Sequence, residues 1–314
     1  MGVSDAHDLT DDVVRTLEGI PAWRTAAAVR ITPLPGGLTN RTFRVDADSQ
    51  TFVARLAISG AEALGIDRRR ERACALAASR AGVAPAVVHV RPEAGLMVTR
   101  YVPGRTLAPG EPASPDVVQR VVAAIRRYHA LRPPAGARFS PTGTIAAYLR
   151  VARAGGIPLP ADLPVLTSHL AKIANALEPA PRLAPCHNDL WGANLVDDGE
   201  RVWIVDWEYA GTGDPYFDLA TFAIYHAPDD AADAALLQAY FGEATPGGVA
   251  RLQLMRLVAQ MRDAAWYLAA QTLPQAPPGG RPDFMAAAEA HLARYREGLR
   301  DPRLPQWLLQ ARHG

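Results

Sequence analysis

Between Val29 and Tyr101 the chain alternates short runs rich in β-branched and aromatic residues with Gly, Pro and Asp turns, the pattern of half-buried strands. Five strands are predicted: Val29–Pro33, Arg41–Asp46, Thr51–Leu56, Ala86–Val90 and Leu96–Tyr101. One stretch breaks the pattern. Asp67–Arg80 is rich in Arg and Ala, holds no Gly or Pro, and has the length of a helix. After Pro103-Gly104 the period changes, and Ala-, Leu- and Arg-rich segments with helical spacing fall near 115–131, 143–154, 161–178, 230–241, 249–273 and 284–299. Leu183–Tyr209 stands apart among them, because its apolar pairs flank an Asp198-Gly199 turn signal and predict a hairpin. Pro274–Pro282 reads as a loop between helices. The expected fold is α+β, with a small β-rich N-terminal lobe over residues 1–101 and a larger, mainly helical lobe over residues 102–314.

Composition narrows the classes. With 314 residues, 49% hydrophobic and 21% charged, the chain has material for two packed lobes. Its 33 basic residues nearly cancel its 32 acidic ones, so nucleic acid and anionic membranes meet no general attraction. No apolar run approaches the roughly 20 residues needed to span a bilayer. Cys74 and Cys186 form no CxxC pair or cluster, which argues against a disulfide scaffold or zinc site. The acidic start, Met1 to Asp8, lacks the apolar core of a signal peptide, and a cytoplasmic protein is expected.

The chemistry concentrates in Cys186-His187-Asn188-Asp189-Leu190-Trp191-Gly192-Ala193-Asn194 and in Ile204-Val205-Asp206-Trp207-Glu208 beyond the turn. With Asp198-Gly199 as the centre of a two-residue turn, opposed residues have numbers that sum to about 397. Asn194 and Asp206, at 400, therefore belong together at the open end of the ribbon. An amide oxygen and a carboxylate so placed suit magnesium, a hard cation that takes oxygen ligands and keeps several waters. Asp189, on the incoming loop, faces the same space and is the candidate catalytic base. His187, two residues earlier, joins the catalytic set by ordering the loop through hydrogen bonds. These are the parts that phosphoryl transfer requires: a metal for the nucleotide phosphates, and a carboxylate to orient the attacking hydroxyl and take its proton.

The spacing His187-x-Asp189-x4-Asn194, followed by Asp206-Trp207-Glu208-Tyr209-Ala210-Gly211, resembles the choline/ethanolamine kinase and aminoglycoside phosphotransferase superfamily, and bacterial choline kinase-like members most of all. The resemblance runs from about residue 30 to 300 and is specific between about 185 and 220. It implies a two-lobed protein-kinase-like fold, ATP and magnesium as cofactors, and a small amino alcohol such as choline or ethanolamine as substrate. It also implies that Asp218, in Gly213-Asp214-Pro215-x-x-Asp218, is structural and caps the next helix. No activation segment of the protein-kinase kind lies between Asp206 and the helix expected near Tyr216.

The N-terminal half supplies further candidates. Pro35-Gly36-Gly37-Leu38-Thr39-Asn40 lies between two strands, where glycines let backbone N–H groups approach phosphate oxygens, although a pair of glycines can equally be only a turn. Arg55 occupies the strand position at which kinases carry a phosphate-contacting lysine, and Glu71 is its helix partner. Several choline kinase-like members carry arginine there, and an arginine fork can serve two phosphate oxygens. The alternative leaves Arg55 solvated and Glu71 in an exposed charge cluster with Arg68–Arg72. Thr99 and Tyr101 lie in the segment Met97–Arg105, which looks like the family's adenine-binding hinge.

For the substrate, Met261–Gln271 resembles the family's tryptophan-containing helix, and Trp266 falls on its first tryptophan. Aromatic faces attract quaternary ammonium groups, which cannot donate hydrogen bonds. The eukaryotic pattern has a second tryptophan where this chain has Ala269. Tyr225, with Trp191, Trp207 and Tyr209, could line the cavity or simply fill the core. Glu208 and Asp214 could supply negative charge near an amine or order the loop. Thiamine or an aminoglycoside as acceptor, and a non-catalytic nucleotide-binding pseudokinase, are the other readings. The few clustered acids beyond Val249 argue against an antibiotic, and the presence of both base and metal ligands argues against a pseudokinase.

Overall fold

The computed structural model describes residues 11–108, 110–132, 138–178, 183–274 and 282–313. The N-terminal residues read for a signal peptide, and most of the Pro274–Pro282 loop, lie outside them. The first element of the described residues is a helix, α1 (Asp11–Glu18). Strands β1 (Val29–Leu34), β2 (Asn40–Ala47) and β3 (Gln50–Ala57) precede α2 (Arg68–Arg80), and β4 (Val87–Arg91) and β5 (Leu96–Arg100) follow it. These five strands form one antiparallel sheet in the order β1-β2-β3-β5-β4.

Period-2 alternation decides what each face of the sheet does. Phe43, Val45, Phe52, Ala54, Leu56, Leu96 and Val98 are buried together with Val13 and Leu17 of α1 and with Trp23. Their neighbours on the opposite face, Thr42, Val53, Arg55, Met97 and Thr99, line a cavity instead. The helix α1 escapes sequence reading because it is short and follows a polar, unpatterned start.

Helix α2 begins where Asp67 accepts hydrogen bonds from the backbone N–H groups of Arg69 (2.9 Å) and Arg70 (3.1 Å). Its buried stripe, Glu71, Cys74, Ala75 and Ala78, has helical spacing. That stripe packs into the large core of the helical lobe rather than into the core under α1.

Beyond the hinge come β6 (Arg105–Thr106), α3 (Pro115–His129), α4 (Pro141–Ala154) and α5 (Leu163–Ala176). Next are β7 (Ala184–Cys186), β8 (Leu195–Asp197), β9 (Val202–Ile204) and β10 (Gly211–Gly213). Helices α6 (Pro215–His226), α7 (Asp230–Phe241), α8 (Pro246–Ala270), α9 (Phe284–Leu299) and α10 (Leu304–Gln310) complete the chain. Helix α8, 25 residues long, is buried on nearly every side, and the charges it carries, Arg251, Arg262 and Asp263 among them, are buried with it. No helix among the described residues is long and apolar enough to cross a membrane. Both cysteines are free and buried.

Two expectations are corrected. The β8–β9 register pairs Leu195 with Ile204 and Asp197 with Val202, so the turn spans Asp198–Arg201 and is not a two-residue turn centred on Asp198-Gly199. The Asp198 carboxylate explains this, since it accepts from the N–H groups of Glu200 (2.9 Å) and Arg201 (2.8 Å) and from the Trp203 indole (2.7 Å). The second concerns the cap of α6. Asp214 caps it by accepting from Tyr216 N (2.9 Å), whereas Asp218 lies inside the helix.

Asp214 is buried away from the cavity and pairs with Arg251 (3.0 Å), which is 1% exposed. Arg251 also donates to the carbonyls of Leu177 (2.6 Å) and Ala311 (3.2 Å), tying three segments together. Arg251→Met should lower stability by about 3 kcal/mol or more, because it strands a buried carboxylate and two carbonyls. Urea unfolding of the two proteins measures the difference.

Candidate active site

The cavity lies between the sheet and the helical lobe and has a volume of about 440 Å³. Gly36 and Gly37, the aromatic residues Trp191, Tyr225, Trp266 and Tyr267, and the polar residues Asp189, Asn194 and Asp206 are all among its lining residues. Gly36 and Gly37 adopt φ of +89° and +86°, a backbone that side-chain-bearing residues rarely take. A Cβ on Gly37 would stand 2.7 Å from the carbonyl oxygen of Asn40.

The loop that carries Asp189 is fixed from behind. Asp218 accepts from His187 N (2.8 Å) and Asn188 N (2.6 Å), and His129 Nε2 approaches the same carboxylate at 2.9 Å. Together these bonds hold its carboxyl below the usual range despite burial, which acts the other way. Asn188, at φ +67°, turns the chain and donates its amide to Tyr209 O (3.0 Å). The His187 ring is buried and sits 3.0 Å from Val205 O, so Nε2–H is the donor. Burial pushes its pKa down and the ring stays neutral, which fits a positioning part rather than proton transfer.

Asp189 emerges from this loop into the cavity. Burial pushes its carboxyl up to about 6, with Arg262 opposing the shift and the charges of Asp263 and Asp206 reinforcing it. The Asn194 amide nitrogen donates to Asp189 O (2.9 Å) and Asp189 Oδ2 (3.2 Å), which leaves its oxygen as the free end of the amide. Asp206, at φ +65°, spends one carboxylate oxygen on Arg55. The two remaining oxygens are hard, one neutral and one anionic, and this donor set suits magnesium. Backbone pairing of Val205 N with Asn194 O (3.0 Å) brings the two residues side by side across the ribbon.

Arg55 joins Asp206 to Glu71, and Arg68 joins Glu71 (2.8 Å) to Glu208 (3.1 Å). Glu71 is 2% exposed and is therefore no part of an exposed charge cluster. Glu208 is not a free anion either. Thr39 Oγ1 (2.7 Å) and Asn40 Nδ2 (2.9 Å) donate to its two oxygens, and it clasps the sheet to the helical lobe. Thr39 and Asn40 are buried, so of the glycine-rich turn only the stretch before them has open backbone. At the hinge, Thr99 and Tyr101 line the cavity, although Tyr101 N already bonds Thr51 O (3.0 Å).

Among the aromatic lining residues the Trp266 indole donates to Tyr209 Oη (2.7 Å), and Tyr225 Oη donates to Asp263 Oδ2 (2.6 Å). Trp266 and Tyr267 meet edge to face with centroids 5.2 Å apart. Trp207 is packed against Tyr128 (4.4 Å) and His187 (4.7 Å) and belongs chiefly to the core.

A family described as "Phosphotransferase enzyme family" matches residues 30–254. A choline/ethanolamine kinase family protein from Mesorhizobium loti is 31% identical, with a TM-score of 0.79 over 97% of this chain and 99% of that one. The chain belongs to the phosphotransferase enzyme family, on its choline kinase-like branch. Two shorter sequence matches concentrate the likeness. A LicA homolog from Metamycoplasma hominis is 34% identical over 84 residues, 27% of this phosphotransferase and 34% of its relative. A thiamine kinase from Escherichia coli is 44% identical over 52 residues, 16% and 19% of the two chains. This phosphotransferase thus spans about a third or less of the length of those curated relatives.

Sequence reading missed Arg262, Asp263 and Arg68 as parts of this site. The signal for the first two was available, since a charged pair within the otherwise apolar Met261–Ala270 run needs a partner or a function. Asp218→Asn should cost about 2 kcal/mol, because an amide cannot accept from two backbone donors and His129 as a carboxylate does. The backbone amides of His187 and Asn188 should then exchange hydrogen faster, which NMR or mass spectrometry would detect.

Proposed function

We propose that this chain is an ATP- and magnesium-dependent kinase that phosphorylates the hydroxyl of a small amino alcohol such as choline or ethanolamine. One observation carries the reading: a single cavity is lined at once by Asp189, by a glycine turn suited to phosphate and by aromatic side chains suited to an ammonium group. In this reading residues 1–101 form the nucleotide-binding lobe and residues 102–314 the catalytic and substrate-binding lobe. Gly36 and Gly37 would offer backbone N–H groups to the phosphates, and Arg55, held by Glu71, would supply a cation. Thr99 and Tyr101 would border the adenine.

Asn194 and Asp206 would hold the metal, which when bound neutralises the triphosphate charge. Asp189 accepts the proton of the acceptor hydroxyl as its oxygen attacks the terminal phosphorus. The bond from that phosphorus to the bridging oxygen breaks, and its electron pair leaves with ADP. His187 keeps the loop in register and takes no proton. Trp266, Tyr225 and Tyr209 would surround the amine, with Asp263 as the nearby anion. Glu208 would act indirectly, by clasping the lobes around that amine site.

Asp189→Asn should lower kcat by about 1,000-fold while calorimetry shows magnesium-ATP binding retained. Equal loss of binding and turnover would remove the base assignment. Trp266→Ala should raise KM for choline or ethanolamine by roughly tenfold with little change in KM for ATP. A panel that also contains thiamine and an aminoglycoside, with and without magnesium, tests the substrate class. Failure to phosphorylate any amino alcohol would reject it.

A further inference from the structure

The cavity lining contains four carboxylates, Asp189, Asp206, Glu208 and Asp263, and three cationic side chains, Arg55, Arg100 and Arg262. The three arginines differ in how far they are committed. Arg55 is held by Glu71 and Asp206. Arg100 lies at the exposed rim, bonded to Gln50 (2.9 Å) and placed 4.7 Å over the Phe52 ring. Arg262 is 4% exposed, and its Nη1 stands 3.0 Å from Asp189 Oδ1. Its Nη2 has no hydrogen-bond partner among the described residues. Nε approaches Asp263 Oδ1 at 2.9 Å without hydrogen-bond alignment.

A guanidinium is a rigid planar fork, so fixing Nη1 on the base also fixes where Nη2 can reach. That second nitrogen therefore stays close to the base. A buried donor left without a partner carries a desolvation cost that a ligand oxygen would relieve. From this geometry we infer that Arg262 is a further catalytic residue, whose Nη2 donates to an oxygen of the phosphoryl group in flight while Nη1 holds the base. The inference rests on the phosphotransfer reading above.

The step is balanced without any added reagent. The acceptor oxygen bonds to the terminal phosphorus of the nucleoside triphosphate, its proton passes to Asp189, and the bridging oxygen departs with the diphosphate. Arg262 gives up no proton. Its charge meets the phosphoryl oxygens between the attacking and leaving groups. An acceptor carboxylate is a weaker match for Nη2, because one free nitrogen cannot make the paired contacts that a carboxylate favours.

The test compares wild type, Arg262→Gln and Arg262→Lys by calorimetry with choline or ethanolamine present. Each protein is titrated with magnesium-ADP alone and then with magnesium-ADP plus aluminium fluoride, which mimics the planar phosphoryl group. Arg262→Gln should bind magnesium-ADP as wild type does, which also reports that it is folded. It should lose about 100-fold or more in the affinity gained from aluminium fluoride, with Arg262→Lys intermediate. Retention of the full gain by Arg262→Gln would overturn the inference and leave the phosphotransfer reading intact. So would an equal loss of both affinities in both variants. Wild-type protein that binds no magnesium-ADP would overturn both.

Discussion

A carboxylate buried inside a helix sets the frame for the whole site. Asp218 takes up two consecutive backbone N–H groups, those of His187 and Asn188, which the turn before Asp189 would otherwise leave unpaired in the core. The bonds are charge-assisted and short, and His129 Nε2 contacts the same carboxylate at 2.9 Å. Position in the helix matters here. Asp214 satisfies the helix end, so Asp218 is released from capping and can reach across to the loop. Asp189 is thereby presented to the cavity by backbone geometry, with Arg262 and Asn194 holding its carboxylate there.

The second constraint is electrostatic. Four acids around one cavity would repel one another and any triphosphate, and burial would drive them to take up protons. Arginines drawn from three different elements offset this. Arg55 on β3 and Arg68 on α2 link Glu71, Asp206 and Glu208 into one chain of ion pairs, while Arg262 on α8 stands between Asp189 and Asp263. The same chain joins the sheet to the helical lobe through Thr39 and Asn40. Charge balance and lobe closure are thus one arrangement. Among the aromatic lining residues the hydroxyls are already committed, Tyr209 accepting from the Trp266 indole and Tyr225 donating to Asp263.

Much of this was legible in the chain. All five strands of the sheet and the helices α2 to α5 and α7 to α9 follow from local periodicity and caps, which depend on residues only a few positions apart. The pairing of Asn194 with Asp206 was legible for the same reason, since both flank one short ribbon, and Asp189 lies on the loop that leads into it. Its register was misjudged because Asp198 folds back on two N–H groups and lengthens the turn, a side-chain effect that the Asp-Gly signal does not reveal.

The sequence by itself therefore determined the elements, the two-part architecture and the residues clustered on the ribbon. The tertiary structure alone decided how distant polar groups are matched: Glu208 with Thr39 and Asn40, Glu71 with Arg55 and Arg68, Arg262 with Asp189. The physical reason is that a local pattern reports how a residue sits on its own helix or strand, whereas a buried charge takes its partner from whatever packing brings within about 3 Å. That partner can lie more than a hundred residues away, as Glu208 does from Arg68.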